Sequence, residues 1–281
     1  MLPDGRPGRA WRRELVATWG FVARNLHLTK RYWGWELVWL AYSLTSSLAV
    51  AYIGLGTQAL AGDQVDGRGL TLYLLVGTLV WAYLSQIFYV ISEMVAWERW
   101  EGTIEYTFMS PSSRLTHLVG TSAFAVAYGI VRTLLIMAAA AAFFRIPLTG
   151  AHLPAAGLWL LVGSVSFVGF GILAGIMPLL FPERGVQMTN VLAALLLLIS
   201  GVYYPVEVLP QWMQALARLS PATYVINGMR EAILSGRGLD DAARPLFLLA
   251  LGGLAAIVAG SWCFSVAERY AKRTGRLKRS G

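Results

Sequence analysis

The chain has little of what disulfide scaffolds, metal sites and common enzyme families are built from. Cys263 is its only cysteine and lies in an apolar run, so neither a disulfide framework nor a cysteine-based metal site is available. His27, His117 and His152 fall on separate segments without the i, i+4 pairing of a helical metal site, and they read as interface or loop positions. No Gly-x-x-x-x-Gly-Lys-Ser/Thr loop occurs, so the chain does not bind ATP by that route, and a Gly-x-Ser-x-Gly elbow is missing too. Charge is scarce: Asp, Glu, Lys and Arg make up 14% of the residues against 57% hydrophobic ones. That balance is wrong for an ordinary soluble domain and points to an all-α polytopic membrane protein. The net charge of +8 is concentrated at the two ends, which suits topology signals and anionic lipid rather than a nucleic-acid face. A cleavable signal peptide is not expected, because the first apolar run starts near residue 37 and is too long for one.

What the chain does have is apolar length. Runs long enough to cross a bilayer cover roughly Leu37–Leu60, Leu70–Val95, Leu115–Phe144, Leu153–Phe181 and Pro245–Ala267, with a shorter one over roughly Val186–Tyr204. Eleven Trp and twelve Tyr fit residues that anchor at membrane–water boundaries. Six spans place both termini on one side. With the termini inside, sixteen of the 23 Lys and Arg fall in cytoplasmic pieces and six in outer ones, and Arg132 lies within a span. The positive-inside rule therefore predicts cytoplasmic termini, and it puts the stretch from Trp97 to Arg114 in the cytoplasm.

That stretch is a charged island between two spans. Glu98, Arg99, Glu101, Glu105 and Arg114 are too costly to hold in hydrocarbon. Gly102 and Pro111 bracket a piece of short-helix length, and Ser110-Pro111-Ser112 reads as the turn that ends it. Upstream, residues 8–34 carry too many Arg to span. Leu15, Trp19, Val22, Leu26 and Trp33 recur on one helical stripe while Arg12, Arg13, Arg24 and Lys30 fall largely elsewhere, which predicts an amphipathic helix lying in the interface plane.

Gly201–Arg244, between the fifth and sixth spans, is too apolar for a plain loop and too interrupted by Pro205, Pro210 and Pro221 for a span. A pair of short helices re-entering the outer leaflet fits, and such backbone is tolerated only where it packs on protein or lines a cavity. Arg132 is the one strongly ionised group deep in a span. Either it serves a functional path or it is a structural arginine satisfied by carbonyls. Glu93 lies at the wrong depth, so the expected partner is a residue of the re-entrant region such as Glu207, or a water-filled cavity. Trp81 and Phe88, seven apart in the second span, either stack on a substrate or pack as ordinary helix contacts. Gly171 with Gly175, and Gly252, Ala256 and Gly260, favour close helix contact within or between protomers.

Two stretches resemble the membrane subunits of type 2 ABC exporters. The family pattern of Glu-Arg-x-x-Gly-Thr-Leu-Glu followed by Ser-Pro-x-Ser-Arg is similar to Glu98-Arg99-Trp100-Glu101-Gly102-Thr103-Ile104-Glu105 and Ser110-Pro111-Ser112-Ser113-Arg114, departing at Ile104 and Glu101. The family's outer re-entrant segment is similar to Gly201-Val202-Tyr203-Tyr204-Pro205-Val206-Glu207-Val208-Leu209-Pro210, with Ser220-Pro221-Ala222-Thr223-Tyr224 and Gly228-Met229-Arg230.

The resemblance implies that residues 1–36 hold a connecting helix, 37–267 a six-span permease domain and 268–281 a basic cytoplasmic tail. It implies that 97–114 form a coupling helix seated on a separate ATPase, with Glu98, Arg99, Glu101, Gly102, Thr103, Glu105 and Arg114 at that contact. Tyr203, Tyr204, Pro205, Glu207, Pro210 and Pro221 would form an outer gate, and Trp81, Phe88 and Arg132 are the candidates for the path. The expected assembly is two permeases, identical or homologous, with two ATPases in a bacterial cytoplasmic membrane among its lipids. ATP and Mg would be bound by the partner, and no cofactor, catalytic residue or metal belongs to this chain. A hydrophobic or amphiphilic cargo such as a drug or lipid is expected, with a polysaccharide or glycolipid as the alternative. A secondary carrier should show inverted repeats and midplane ion ligands, which are not visible, and a membrane enzyme should show a catalytic constellation.

Overall fold

The computed structural model describes residues 7–61, 66–109, 114–144, 150–240 and 242–275, and among them all regular structure is helical. Ser110, Pro111, Ser112 and Ser113, the expected turn, lie outside the described residues.

Helix α1 covers Pro7–Arg31 and α2 Trp33–Ala61, with a single-residue break at Tyr32. Lys30 and Arg31 close the last turn of α1, where cations complement the helix dipole. Of the stripe expected in the interface, Leu15, Trp19, Leu26 and Trp33 are exposed and Val22 is half-buried, while Asn25, off that stripe, is buried.

Helix α3, Gly67–Glu101, is the axis of the molecule. Asp66 caps it, accepting from the Gly69 amide at 3.0 Å. Its 35 residues span about 52 Å at ~1.5 Å per residue, well beyond a hydrocarbon core of roughly 30 Å. Tyr83, Leu84, Ile87, Phe88 and Ile91 are sealed inside the bundle. Gly102 ends α3 with φ +75°, a left-handed conformation that a side chain would oppose, and the short α4 follows over Ile104–Met109.

Helix α5 is Arg114–Phe144. Helix α6, Leu153–Ala174, starts on the His152 side chain with Pro154 in its first turn, and breaks at Gly175 before the short α7, Ile176–Leu180. Helix α8 covers Gly185–Ile199, α9 Gln211–Ala217, α10 Pro221–Leu234 and α11 Ala243–Arg273. Among the described residues five helical stretches are long and apolar enough to cross a membrane: Trp33–Leu60, Gly67–Glu101, Thr116–Phe144, Leu153–Leu180 and Ala243–Arg273. Helix α8 is apolar but has only 15 residues, about 22 Å at ~1.5 Å each, and it stops short of the expected boundary at Tyr204.

Lipid offers no hydrophobic drive for helices to associate, so close approach and polar contacts hold them. Helices α6 and α11 meet where a Cβ on Gly169 would sit 2.7 Å from the Ala256 backbone and one on Gly260 would sit 3.0 Å from the Gly169 carbonyl. Gly171 lies against Ile91 and Phe88 of α3. These small residues thus serve contacts within the chain, whereas Gly252 faces open space. Tyr83 and Ser164 hydroxyls join α3 to α6 at 2.6 Å, and those of Ser92 and Thr189 join α3 to α8 at 2.9 Å. The outer faces of α2, α5 and α11 stay apolar, with Trp39, Leu134, Phe247, Val258 and Trp262 exposed. A surface of that kind fits lipid or another apolar chain, not water.

Candidate functional site

Where α3 outlasts the apolar core, two of its charged residues, Glu98 and Arg99, turn inward. Glu98 is only 3% exposed. Its Oε1 accepts from Arg24 Nη2 of α1 at 2.9 Å and lies 3.1 Å from His117 Nε2 of α5. The same node is packed by Phe21, whose ring meets the His117 ring edge-on at 4.9 Å and lies 5.6 Å from the Arg24 guanidinium carbon. Nearer the start of α1, Glu14 accepts from the hydroxyl of Thr116, the residue before His117. A Cβ on Gly120 would collide with Phe21 and the Thr18 carbonyl, so that glycine lets α1 lie directly on α5. One buried carboxylate therefore joins α1, α3 and α5 at the root of the island.

Glu98, expected at the ATPase contact, is thus packed within the chain, and Arg99 is likewise buried at 7% exposure. Both charges sit on the inner face of α3, because the helix continues past the apolar stretch with the same side toward the bundle. What the island exposes is different. Trp97, Trp100, Tyr106 and Met109 stand out, Trp100 at 78% and Tyr106 at 75% exposure, beside the exposed Glu101. Gly102 and Thr103 are half-buried in the bend between α3 and α4, and Ile104 anchors α4 in the core. The side chains of Glu105 and Arg114 lie outside the described residues.

At the opposite end of α3 the chain solves another problem. Helix α8 stops at Ile199 and the backbone turns at Gly201, φ +68°, leaving carbonyls without helical partners. Side chains take them up one by one. Arg230 of α10 donates to Gly201 O at 2.9 Å and Val202 O at 2.7 Å, and to Tyr73 O of α3 at 3.4 Å from two nitrogens. Its guanidinium lies over the Tyr73 ring, 3.4 Å from the centroid. Gln214 donates to Glu207 O and Leu209 O, and the Tyr204 hydroxyl donates to Leu198 O. Backbone paired in this way can stay out of water. Of the expected gate residues, Pro221 is buried, Tyr204 half-buried, and Tyr203, Pro205, Glu207 and Pro210 exposed. From sequence, Arg230 entered only as part of the Gly228-Met229-Arg230 motif, without a partner, and Gln214 carried no signal beyond lying just downstream of a proline-broken apolar stretch.

Arg132 does not reach Glu207. It donates to Gln86 Oε1 at 2.8 Å, Ser43 Oγ at 2.7 Å and the Trp39 carbonyl at 3.1 Å, tying α5 to α2 and α3. The Tyr128 hydroxyl, one turn away, donates to Glu36. Phe88, 1% exposed, is a core residue, which rules out a stacking surface in this conformation, and Trp81 is half-buried with its ring edge-on to Phe167. Arg132→Met should lower the melting temperature of the solubilised protein. Hydrogen bonds from a charged donor are each worth about 1.5–3 kcal/mol net. Lost transport at an unchanged melting temperature would instead place Arg132 in the path.

The sequence profile of the ABC-2 type transporter family matches residues 17–234, and the chain belongs to that family. It is similar to the inner membrane transport permease YadH of Escherichia coli K12, 24% identical over 226 residues that make up 80% of this chain and 85% of that protein. It is also similar to the putative transport permease YvfS of Bacillus subtilis, 35% identical over 80 residues, 28% of this chain and 32% of that protein. A third relative, the linearmycin resistance permease protein LnrN of Bacillus subtilis, is 28% identical over 60 residues, 21% of this chain and 16% of that protein. The chain is thus an integral, multi-pass ABC-2 permease.

Proposed function

We propose that the chain is the translocation subunit of an ATP-driven exporter whose ATPase is a separate polypeptide, binding ATP and Mg itself. Both termini lie in the cytoplasm, α8 is the fifth of six spans with the re-entrant α9 and α10 between it and the sixth, α11, and the working unit pairs two permeases with two ATPases. The domain limits expected from sequence carry over: the connecting helix in 1–36, the permease in 37–267 and the tail in 268–281.

The observation that carries this reading is the end of α3. A rigid helix leaves the apolar bundle, is braced by α1 and α5 through Glu98, and presents an aromatic knob of Trp97, Trp100 and Tyr106 on α3 and α4. Exposed tryptophan and tyrosine clustered beyond an apolar span suit a partner's cleft, because such side chains dominate interface energies. ATP closing the partner's dimer would push this knob, and the spans would repack between inward- and outward-facing states, a population shift driven by contacts that differ between the two. The resistance permease among the relatives supports a drug-like cargo, hydrophobic or amphiphilic, over a polysaccharide.

Co-purification with the ATPase tests the docking, and ATP-dependent flux in vesicles tests the function. Trp100→Ala with Tyr106→Ala should cut co-purification at least ~30-fold, the effect of losing about 2 kcal/mol at a hot spot. An ATPase that never binds, together with flux indifferent to ATP, sinks the proposal.

A further inference from the structure

Arg230 fastens three elements with one side chain. It belongs to α10, its short bonds of 2.9 and 2.7 Å go to the Gly201 and Val202 carbonyls after α8, and its long bonds of 3.4 Å go to Tyr73 O of α3. All three acceptors are main-chain carbonyls. The guanidinium plane also rests on the Tyr73 ring. Directly beneath is Gly77, where a Cβ would sit 2.3 Å from Val202 O and 2.6 Å from Arg230 Nη2. The backbone of α3 is therefore held as close to the α8 break as a glycine permits, and Val202 is sealed at 1% exposure.

Two features make this a clasp that can open. Carbonyl dipoles hold a cation less firmly than a carboxylate would, so release leaves no buried carboxylate stranded. The bonds are also unequal: those to the α8 break are short and those to α3 are long, so the weaker seam lies between Arg230 and α3. Helix α3 is continuous from Tyr73 to the Glu98 node, about 37 Å away at ~1.5 Å per residue. A displacement applied at the exposed island thus reaches Tyr73 along one helix.

We infer that Arg230 is a positioning residue that clasps the α8–α9 segment and α10 to α3, and that sliding of α3 against it opens the outer side of the permease. This rests on the reading of the chain as an ATP-driven permease with an outer gate. A planar fork on a ring and several carbonyls is replaced only in part by the point charge of a lysine.

The test uses the full chain with its ATPase in lipid nanodiscs, Cys263→Ser to remove the native thiol, and Val202→Cys as a probe labelled by a membrane-impermeant maleimide. With Arg230 present, labelling should differ at least ~5-fold between nucleotide-free and ATP-trapped states, the lower end of ordinary coupling between sites. In Arg230→Gln and in Gly77→Ala, labelling should be high in both states, while ATP hydrolysis and subunit co-purification persist. A purely structural role would lower those two along with the melting temperature and would not selectively erase the nucleotide dependence. Arg230→Lys, which keeps the cation, guards against misfolding and should give an intermediate ratio. Wild-type ratios in all three variants overturn the clasp and leave the gate standing. No nucleotide response with Arg230 present overturns the gate reading, and the clasp with it.

Discussion

Glu98→Ala is expected to destabilise the protein by about 3 kcal/mol and to abolish ATP-stimulated transport. Removing one partner of a buried ion pair typically costs ~3–5 kcal/mol, because the other charge is left without compensation. The lower end applies because the Arg24 side chain is 36% exposed and can turn to water. His117 has no such escape, since its side chain is 5% exposed. The carboxylate joins three helices, so its loss should free α1 from the roots of α3 and α5 as well as shift one equilibrium.

Glu98→Gln separates charge from shape. The amide oxygen can still accept from Arg24 or from His117, and the expected cost falls to about 1–2 kcal/mol, the loss of charge assistance in two hydrogen bonds. Combining Glu98→Gln with Arg24→Gln should cost less than the two single changes added, because both act on one contact. Melting of the detergent-solubilised protein reads the stability, and ATPase stimulation in vesicles reads the coupling. If Glu98 contacted the partner directly, both substitutions would leave the melting temperature unchanged and weaken only co-purification. That outcome would remove the internal brace.

The same residue shows how far the sequence carries. Span positions were legible because hydrocarbon demands long apolar runs, and α2, α3, α5, α6 with α7, and α11 contain the runs expected for them. The helix of α1 was legible from the 3.6-residue period that Leu15 and Trp19 keep, and both are exposed. The break at Gly102 was legible as well, although its left-handed conformation supplies a sharper reason than flexibility. Azimuth was not legible. Hydropathy says that Glu98 lies near the end of a span but not that it faces α1 and α5, because Arg24 and His117 are 74 and 19 residues away in sequence. Depth arguments correctly set Glu93 aside as a partner for Arg132, yet they missed Gln86 and Ser43, which approach from two other helices. Rotation about each helix axis is decided by packing, and packing depends on pairs of residues that no single-segment pattern contains.

The contact between α6 and α10 is such a pair, and it carries the second large prediction. Gly228 of α10 lies under the indole of Trp159 of α6, where a Cβ would come within 2.1 to 2.6 Å of ring atoms. One turn away the arrangement reverses: Val225 of α10 fills the space over Gly163 of α6, with an added Cβ at 2.5 Å. As numbers rise on α10 they fall on α6, so the helices run antiparallel, and each offers a glycine to the other's bulk. On helix propensity alone Gly228→Ala should help by about 1 kcal/mol. Here the clash dominates, since Trp159 is itself buried and has nowhere to retreat. Gly228→Val is expected to cost at least ~3 kcal/mol, the upper range for overpacking, and to lift α10 from α6. Because α10 also carries Arg230, transport should be lost together with folding stability. Adding Trp159→Leu makes room for the new side chain and should recover part of the melting temperature, though not all, because the indole packing is gone. A Gly228→Val protein that melts like the wild type, or a double variant no better than the single one, would show that α6 and α10 are not locked by this exchange of glycine and bulk.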